Sequence, residues 1–204
     1  MNRALIRCAH ILSAVFRPQF FPLVGFVVLF WFTYLNLLPL TFKAIVIGIV
    51  LMGTVLLPRW FVGAWRVARG WERQQLRWQE RRLVPYVIHI LFYLGTYQLL
   101  RQLHLPHYMG GILLGALAIQ IACAIINLFW KISSHSAGAG GAIGALGAFS
   151  LIFMFNPVWW LCLLILISGL VGSSRMLLRQ HDLWQVIGGT MVGCVLGFLT
   201  ILLA

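Results

Sequence analysis

Seven long apolar runs constrain this chain more than any other feature. They fall at residues 20–38, 41–57, 84–100, 109–130, 137–155, 157–172 and 183–203. Each is about 17–22 residues, the length an α-helix needs to cross the ~30 Å hydrocarbon core of a bilayer. Inside hydrocarbon every backbone polar group has to be satisfied within the segment or a closed barrel, and runs this long select helices. Hydrophobic residues make up 62% of the 204 residues and charged ones only 9%, which exceeds what a soluble domain of this size needs. The expected fold is all-α: a polytopic transmembrane bundle of six to seven spans, with residues 1–204 as a single integral membrane domain. Pro39 divides the first two runs and Asn156-Pro157 the fifth and sixth. Each pair reads as a tight helical hairpin, because proline disfavours helix at the residue before it. Arg3, Arg7 and Arg17 precede a stretch too long for a signal peptide and without a small-x-small cleavage site, so it reads as a retained first span.

Residues 59–83 break the pattern. At 100° per residue Trp60, Ala64, Ala68, Trp71 and Trp78 gather on one side, and Arg59, Arg66, Arg69, Arg73 and Arg77 on the other. This predicts an interfacial amphipathic helix with tryptophans toward the acyl chains and arginines toward headgroups. It serves as a membrane anchor, or more sharply as a ramp that gathers lipid beside a site.

The net charge is +12, and the acids number three: Glu72, Glu80 and Asp182. So few carboxylates exclude a two-metal hydrolase or a paired-carboxylate glycosidase. In a membrane chain the basic excess faces anionic headgroups and sets topology, with no nucleic-acid partner implied. With seven spans, 13 of the 15 Lys/Arg share one side and only Lys43 and Arg101 lie opposite. The positive-inside rule makes the basic side cytoplasmic, and the expected location is a bacterial inner membrane. Cys8, Cys123, Cys162 and Cys194 are scattered and read as small buried hydrophobes.

Two polar clusters end apolar runs on that basic side. One is Lys131-Ile132-Ser133-Ser134-His135-Ser136, the other Ser174-Arg175, five residues, then His181. Cations and histidines are expensive near hydrocarbon, so their presence there marks function. Phosphoryl transfer needs groups that complement the phosphate oxygens, an in-line nucleophile and an acid for the leaving group. Lys131 and Arg175 can hold the oxygens, and two imidazoles can divide the other roles. His135 opens a helix, where free N–H groups favour an anion, and the three serines can donate further hydrogen bonds. A single histidine at a span end is commonly interfacial only; two, each beside a cation and a serine, argue otherwise. His104 and His107 lie in a short opposite loop without a third ligand, and no metal site or cofactor is expected. His10 and His89 read as structural. The small residues of Ala137–Ala148 fit close helix packing; no Gly-Lys-Ser/Thr follows, so they are not a P-loop.

Ser174-Arg175-x5-His181 resembles the third signature of the type 2 phosphatidic acid phosphatase superfamily. Those proteins are metal-independent membrane lipid phosphatases related in fold to vanadium haloperoxidases. Ser134-His135 resembles the second signature, and Lys131 the lysine of the first. The resemblance covers residues 120–200. It implies His181 as a nucleophile forming a phosphohistidine, His135 as general acid, and Lys131, Ser134 and Arg175 as phosphate-binding groups. The implied substrates are a lipid phosphate or a polyprenyl diphosphate. Three departures stand out. Gly138 replaces the arginine seven residues after the lysine, and Arg81 or Arg82 is expected as accessory cation. The first two signatures are nearly fused. Gln185 replaces an aspartate four residues after the nucleophile; it can orient the imidazole N–H but not stabilise an imidazolium, and Asp182 points about 100° away from His181 on a helix. The alternative reading is a lipid-phosphate binding or transport protein, catalytically weak or inactive.

Overall fold

The computed structural model describes residues 3–70, 79–103 and 105–204, with side chains from Ala4 and, after the first gap, from Leu83. The described residues are predominantly helical, with no strand among them. Helix α1 (Arg3–Val15) meets α2 (Phe20–Phe32) at 65° across a short elbow. A 3₁₀ turn, Tyr34–Leu37, extends α2; the Thr33 hydroxyl accepts from the Leu35 N–H and donates to the Leu29 carbonyl. Pro39 then opens α3 (Leu40–Leu51), as its fixed φ allows.

Helix α3 passes through a π-helical turn, Met52–Leu56, into α4 (Leu57–Ala68), and the whole is one helix of 29 residues, Leu40–Ala68. At 1.5 Å per residue it is about 43 Å long, enough for the hydrocarbon core and both headgroup layers. The first part of the expected amphipathic stretch is therefore helical, but it continues a span. Residues 71–78 of that stretch lie outside the described residues. Proline 58 does not end the helix because it follows the π turn, where the hydrogen-bond ladder is already displaced. Trp60 and Trp65 stay exposed, and the Arg69 guanidinium lies 5.3 Å from the Trp65 ring centroid.

The remaining helices are α5 (Gln79–Gln102), α6 (His107–Phe129), α7 (Ser134–Ile152), α8 (Val158–Leu177) and α9 (Leu183–Leu203). Among the described residues six helices are long and apolar enough to cross a membrane, or seven if the bent α1–α2 pair is counted as one span. This is a membrane-embedded helical bundle. Near one end Pro18 and Phe21 touch the Gly138 position of α7; near the other, Ile201 and Ala204 of α9 touch the Gly111 position of α6. An aromatic cluster closes that second end, with Tyr34, Tyr108 and Phe153 in edge contact and the two tyrosine hydroxyls 2.6 Å apart. Buried Lys43 is accommodated there by the carbonyl and side-chain oxygens of Asn36, at 2.8 and 3.0 Å.

The tightest packing joins α7 and α9, which run parallel. Cβ atoms built at Gly189, Gly193 and Gly197 of α9 would fall 2.6, 1.9 and 2.4 Å from the carbonyl oxygens of Ser133, Ala137 and Gly141. In return, Cβ atoms at Gly140 and Gly144 would meet the carbonyls of Thr190 and Cys194 at 2.1 and 2.0 Å. Small residues four apart on both helices let the backbones touch, and dispersion and Cα–H···O contacts replace the missing hydrophobic drive between helices in lipid. Gly193→Ala should therefore destabilise the protein by about 1–3 kcal/mol through overpacking. Gly169→Ala, with nothing within 4 Å of its Cβ, should be neutral or slightly stabilising; thermal unfolding in detergent compares the two.

Candidate functional site

The end of the bundle that holds Pro18 and the start of α7 opens into a polar cavity of about 550 Å³. Lys131, Ser134, His135, Arg175 and His181 all line it. Two clusters at least 40 residues apart in sequence thus meet in one place. Gln185 stands behind His181. Arg81 and Arg82 lie in the first turns of α5, and their side chains are outside the described residues.

Local chemistry explains each placement. Ser133 caps α7: its hydroxyl accepts from the Ser136 N–H and lies 2.9 Å from the Ser136 hydroxyl, both fully buried. Ser133 and Ser136 are thereby committed to each other and to the helix end. Ser134 is the one that lines the cavity. Helix α8 ends in a Schellman closure. Arg179, at φ 51°, donates its N–H to the Met176 carbonyl, and the Gln180 N–H donates to Arg175. This reverses the chain within a few residues and aims the Gln180 carbonyl at Lys131, whose ammonium donates to it.

His181 is held by Gln185, with Nδ1 2.9 Å from Oε1. Neighbours decide the orientation of that amide. Its Nε2 faces the Asp182 carboxylate at 3.3 Å, and a carboxylate only accepts, so Oε1 faces the imidazole. The Asp182 N–H also points at Oε1, at 3.4 Å. His181 therefore carries its proton on Nδ1, leaving Nε2 with the lone pair. The same contacts form the capping box that starts α9. The Gln185 carbonyl accepts from the Ser133 N–H at 3.2 Å, tying the two histidine-bearing helix starts together.

His135 lies within electrostatic reach of Arg175, His181 and Arg17, with the Ser13 main chain against its ring. Arg175 donates to the Ser13 hydroxyl at 2.6 Å. Among the described residues, the buried polar atoms without a hydrogen-bond partner include His135 Nδ1 and Arg175 Nε, an arrangement that costs stability. No group of three His, Cys, Asp or Glu side chains converges among the described residues.

Several residues here were not singled out from sequence. Arg17 and Gln19, on the elbow between α1 and α2, line the cavity, and so does His89 of α5. His89 Nδ1 donates to the Pro85 carbonyl at 2.6 Å, so its Nε2 accepts from the Gln19 amide. The structural reading of His89 thus fits its contacts, although it sits on the cavity wall. Gln120 and Asn127, polar groups inside the α6 apolar run, were the overlooked signal.

A second cavity, about 340 Å³ and almost wholly apolar, adjoins the first and extends along the bundle. Arg17, Pro18, Tyr86, Gln120 and Ser134 line both. Beyond them the wall passes Phe21, Gly138 and Ala142 to Phe149 and Ile201 of the core near the opposite end. No protein-family model, curated protein or solved structure matches the chain.

The tautomer of His181 is directly testable. Nitrogen-15 correlation spectra of neutral His181 should show the Nδ1-protonated form. Gln185→Leu should shift it to a mixture while costing about 1 kcal/mol of stability through the lost cap.

Proposed function

We propose that this protein is a membrane lipid phosphatase, removing phosphate from a lipid phosphate or diphosphate through a phosphohistidine. The observation that carries the reading is the junction of two cavities: a cation-lined one holding both histidines, and an apolar one reaching into the bundle. Together they have the shape and polarity of an amphiphile with an anionic head. The motif resemblance to type 2 phosphatidic acid phosphatases supports the same chemistry.

In this reading Lys131, Ser134 and Arg175 hold the phosphate oxygens. His181 Nε2 attacks phosphorus, with Gln185 fixing the ring so that its lone pair faces the substrate. The bond from phosphorus to the lipid oxygen breaks, and that oxygen keeps the electron pair and takes a proton from His135, which is charged once the bound phosphate anion offsets Arg175 and Arg17 beside it. His135, now neutral, accepts a proton from a water that attacks the phosphohistidine. Inorganic phosphate leaves and both imidazoles return to their starting states. The distribution of Lys and Arg favours a cytoplasmic-facing site in a bacterial inner membrane, suited to an intermediate made on the inner leaflet. The neutral Gln185 favours a second reading, a lipid-phosphate binding or transport protein that holds the anion without turnover.

Phosphate release by the detergent-solubilised protein, against a panel of lipid phosphates, separates these readings. His181→Ala should lower turnover by at least about 10³-fold and abolish acid-labile phosphoenzyme. Undiminished turnover in that variant removes His181 as nucleophile, and binding without release by the wild type favours the second reading. Chelator should leave the rate unchanged. Filling the apolar cavity with Ala142→Phe should raise KM for long-chain substrates about tenfold or more while sparing short-chain analogues.

A further inference from the structure

The elbow between α1 and α2 brings a cation to one particular place. Arg17 lines both cavities, where the polar one and the apolar one adjoin. His181, Lys131 and Arg175 line only the polar cavity. A lipid with its chain in the apolar cavity and its terminal phosphate near His181 places its leaving group at this junction. Arg17 also lies within electrostatic reach of His135, the proposed acid toward that leaving group.

The elbow is built to hold this position. Ser13, one turn before it, anchors Arg175, and Gln19, just after it, anchors His89 of α5. The Phe20 N–H donates to the Arg17 carbonyl at 3.0 Å, closing the turn. Pro18 and Phe21 pack against α7 at Gly138, where any Cβ would collide with them. The elbow therefore occupies the space beside Gly138, and it carries a guanidinium of its own into the site.

Resting on the phosphoryl-transfer reading, we propose that Arg17 grips the leaving group and that the group it fits is a phosphate, making the preferred substrate a lipid diphosphate. His181 takes the terminal phosphoryl group and the bridging P–O bond breaks. The bridging oxygen leaves with its electron pair on a lipid monophosphate, whose extra negative charge Arg17 balances. A monophosphate ester instead leaves as an alcohol, whose oxygen needs the His135 proton and gives a guanidinium no anion to hold.

The test compares farnesyl diphosphate with farnesyl monophosphate as substrates for the wild type, Arg17→Ala and Arg17→Lys. Wild type should favour the diphosphate. In Arg17→Ala the ratio of kcat/KM for diphosphate over monophosphate should fall about 30-fold or more, with Arg17→Lys intermediate, the scale of losing one transition-state donor. An unchanged ratio overturns the role of Arg17 while leaving the phosphatase reading intact, and so does a wild-type preference for the monophosphate. Hydrolysis of neither compound by the wild type overturns both. Because the readout is a ratio within one preparation, partial misfolding of a variant does not imitate the expected result.

Discussion

Backbone contact between α7 and α9 is the constraint on which the rest of the structure depends. In lipid two helices gain little from burying apolar surface against each other, since the alternative partner is equally apolar. What α7 and α9 gain comes from closeness, and closeness requires glycine where one helix meets the carbonyls of the other. The contact begins where Ser133 faces Gly189, at the end that carries the polar cavity. One helix starts at Ser134-His135 and the other just after His181. Fixing the two helices against each other thus fixes the separation of the two imidazoles. The hydrogen bond from the Ser133 N–H to the Gln185 carbonyl completes that registration.

Around this rigid pair the other elements supply chemistry. Helix α8 ends in a left-handed residue and delivers Arg175 on one side of the turn and His181 on the other. The α6–α7 connection brings Lys131 to the Gln180 carbonyl. The α1–α2 elbow closes the remaining side, meeting Arg175 through Ser13 and His89 through Gln19. Below the cations, the smallness of residues such as Ala116 and Ala142 leaves the apolar cavity its room.

Six of the spans were legible because each leaves a continuous apolar run, and the boundaries at Pro39 and Asn156-Pro157 were legible because proline disrupts helix locally. The run 20–38 is not a straight span, since α2 ends at Phe32 and reaches crossing length only together with α1 across the 65° elbow. The continuity of the helix through Pro58 was not legible, since the π turn just before it is a matter of tertiary fit: Gly53 meets Thr96 of α5 there. Lys131, His135, Arg175 and His181 could be singled out because charge inside an apolar chain is conspicuous. The orienting contact of Gln185 followed from one-turn helical spacing. Arg17 was hidden by sequence distance: it precedes the first apolar run and reads as a topology signal, while only the 65° elbow turns it toward the cavity. The apolar cavity left no trace in the sequence, because space between helices is a property of several of them at once. Ser133 and Ser136 were ambiguous for a different reason, since a capping hydroxyl and an anion-binding hydroxyl occupy the same first turn.

Gln185 gives one amide two employers. Its nitrogen and oxygen stabilise the first turn of α9 through Asp182, and the same oxygen sets the proton position on His181. No substitution can therefore adjust the histidine alone. A side chain that improves the imidazole's partner also rewrites how α9 begins, and the start of α9 is where the glycine contact with α7 takes its register. Evolutionary change at this position is pleiotropic, trading reactivity against the assembly of the bundle itself.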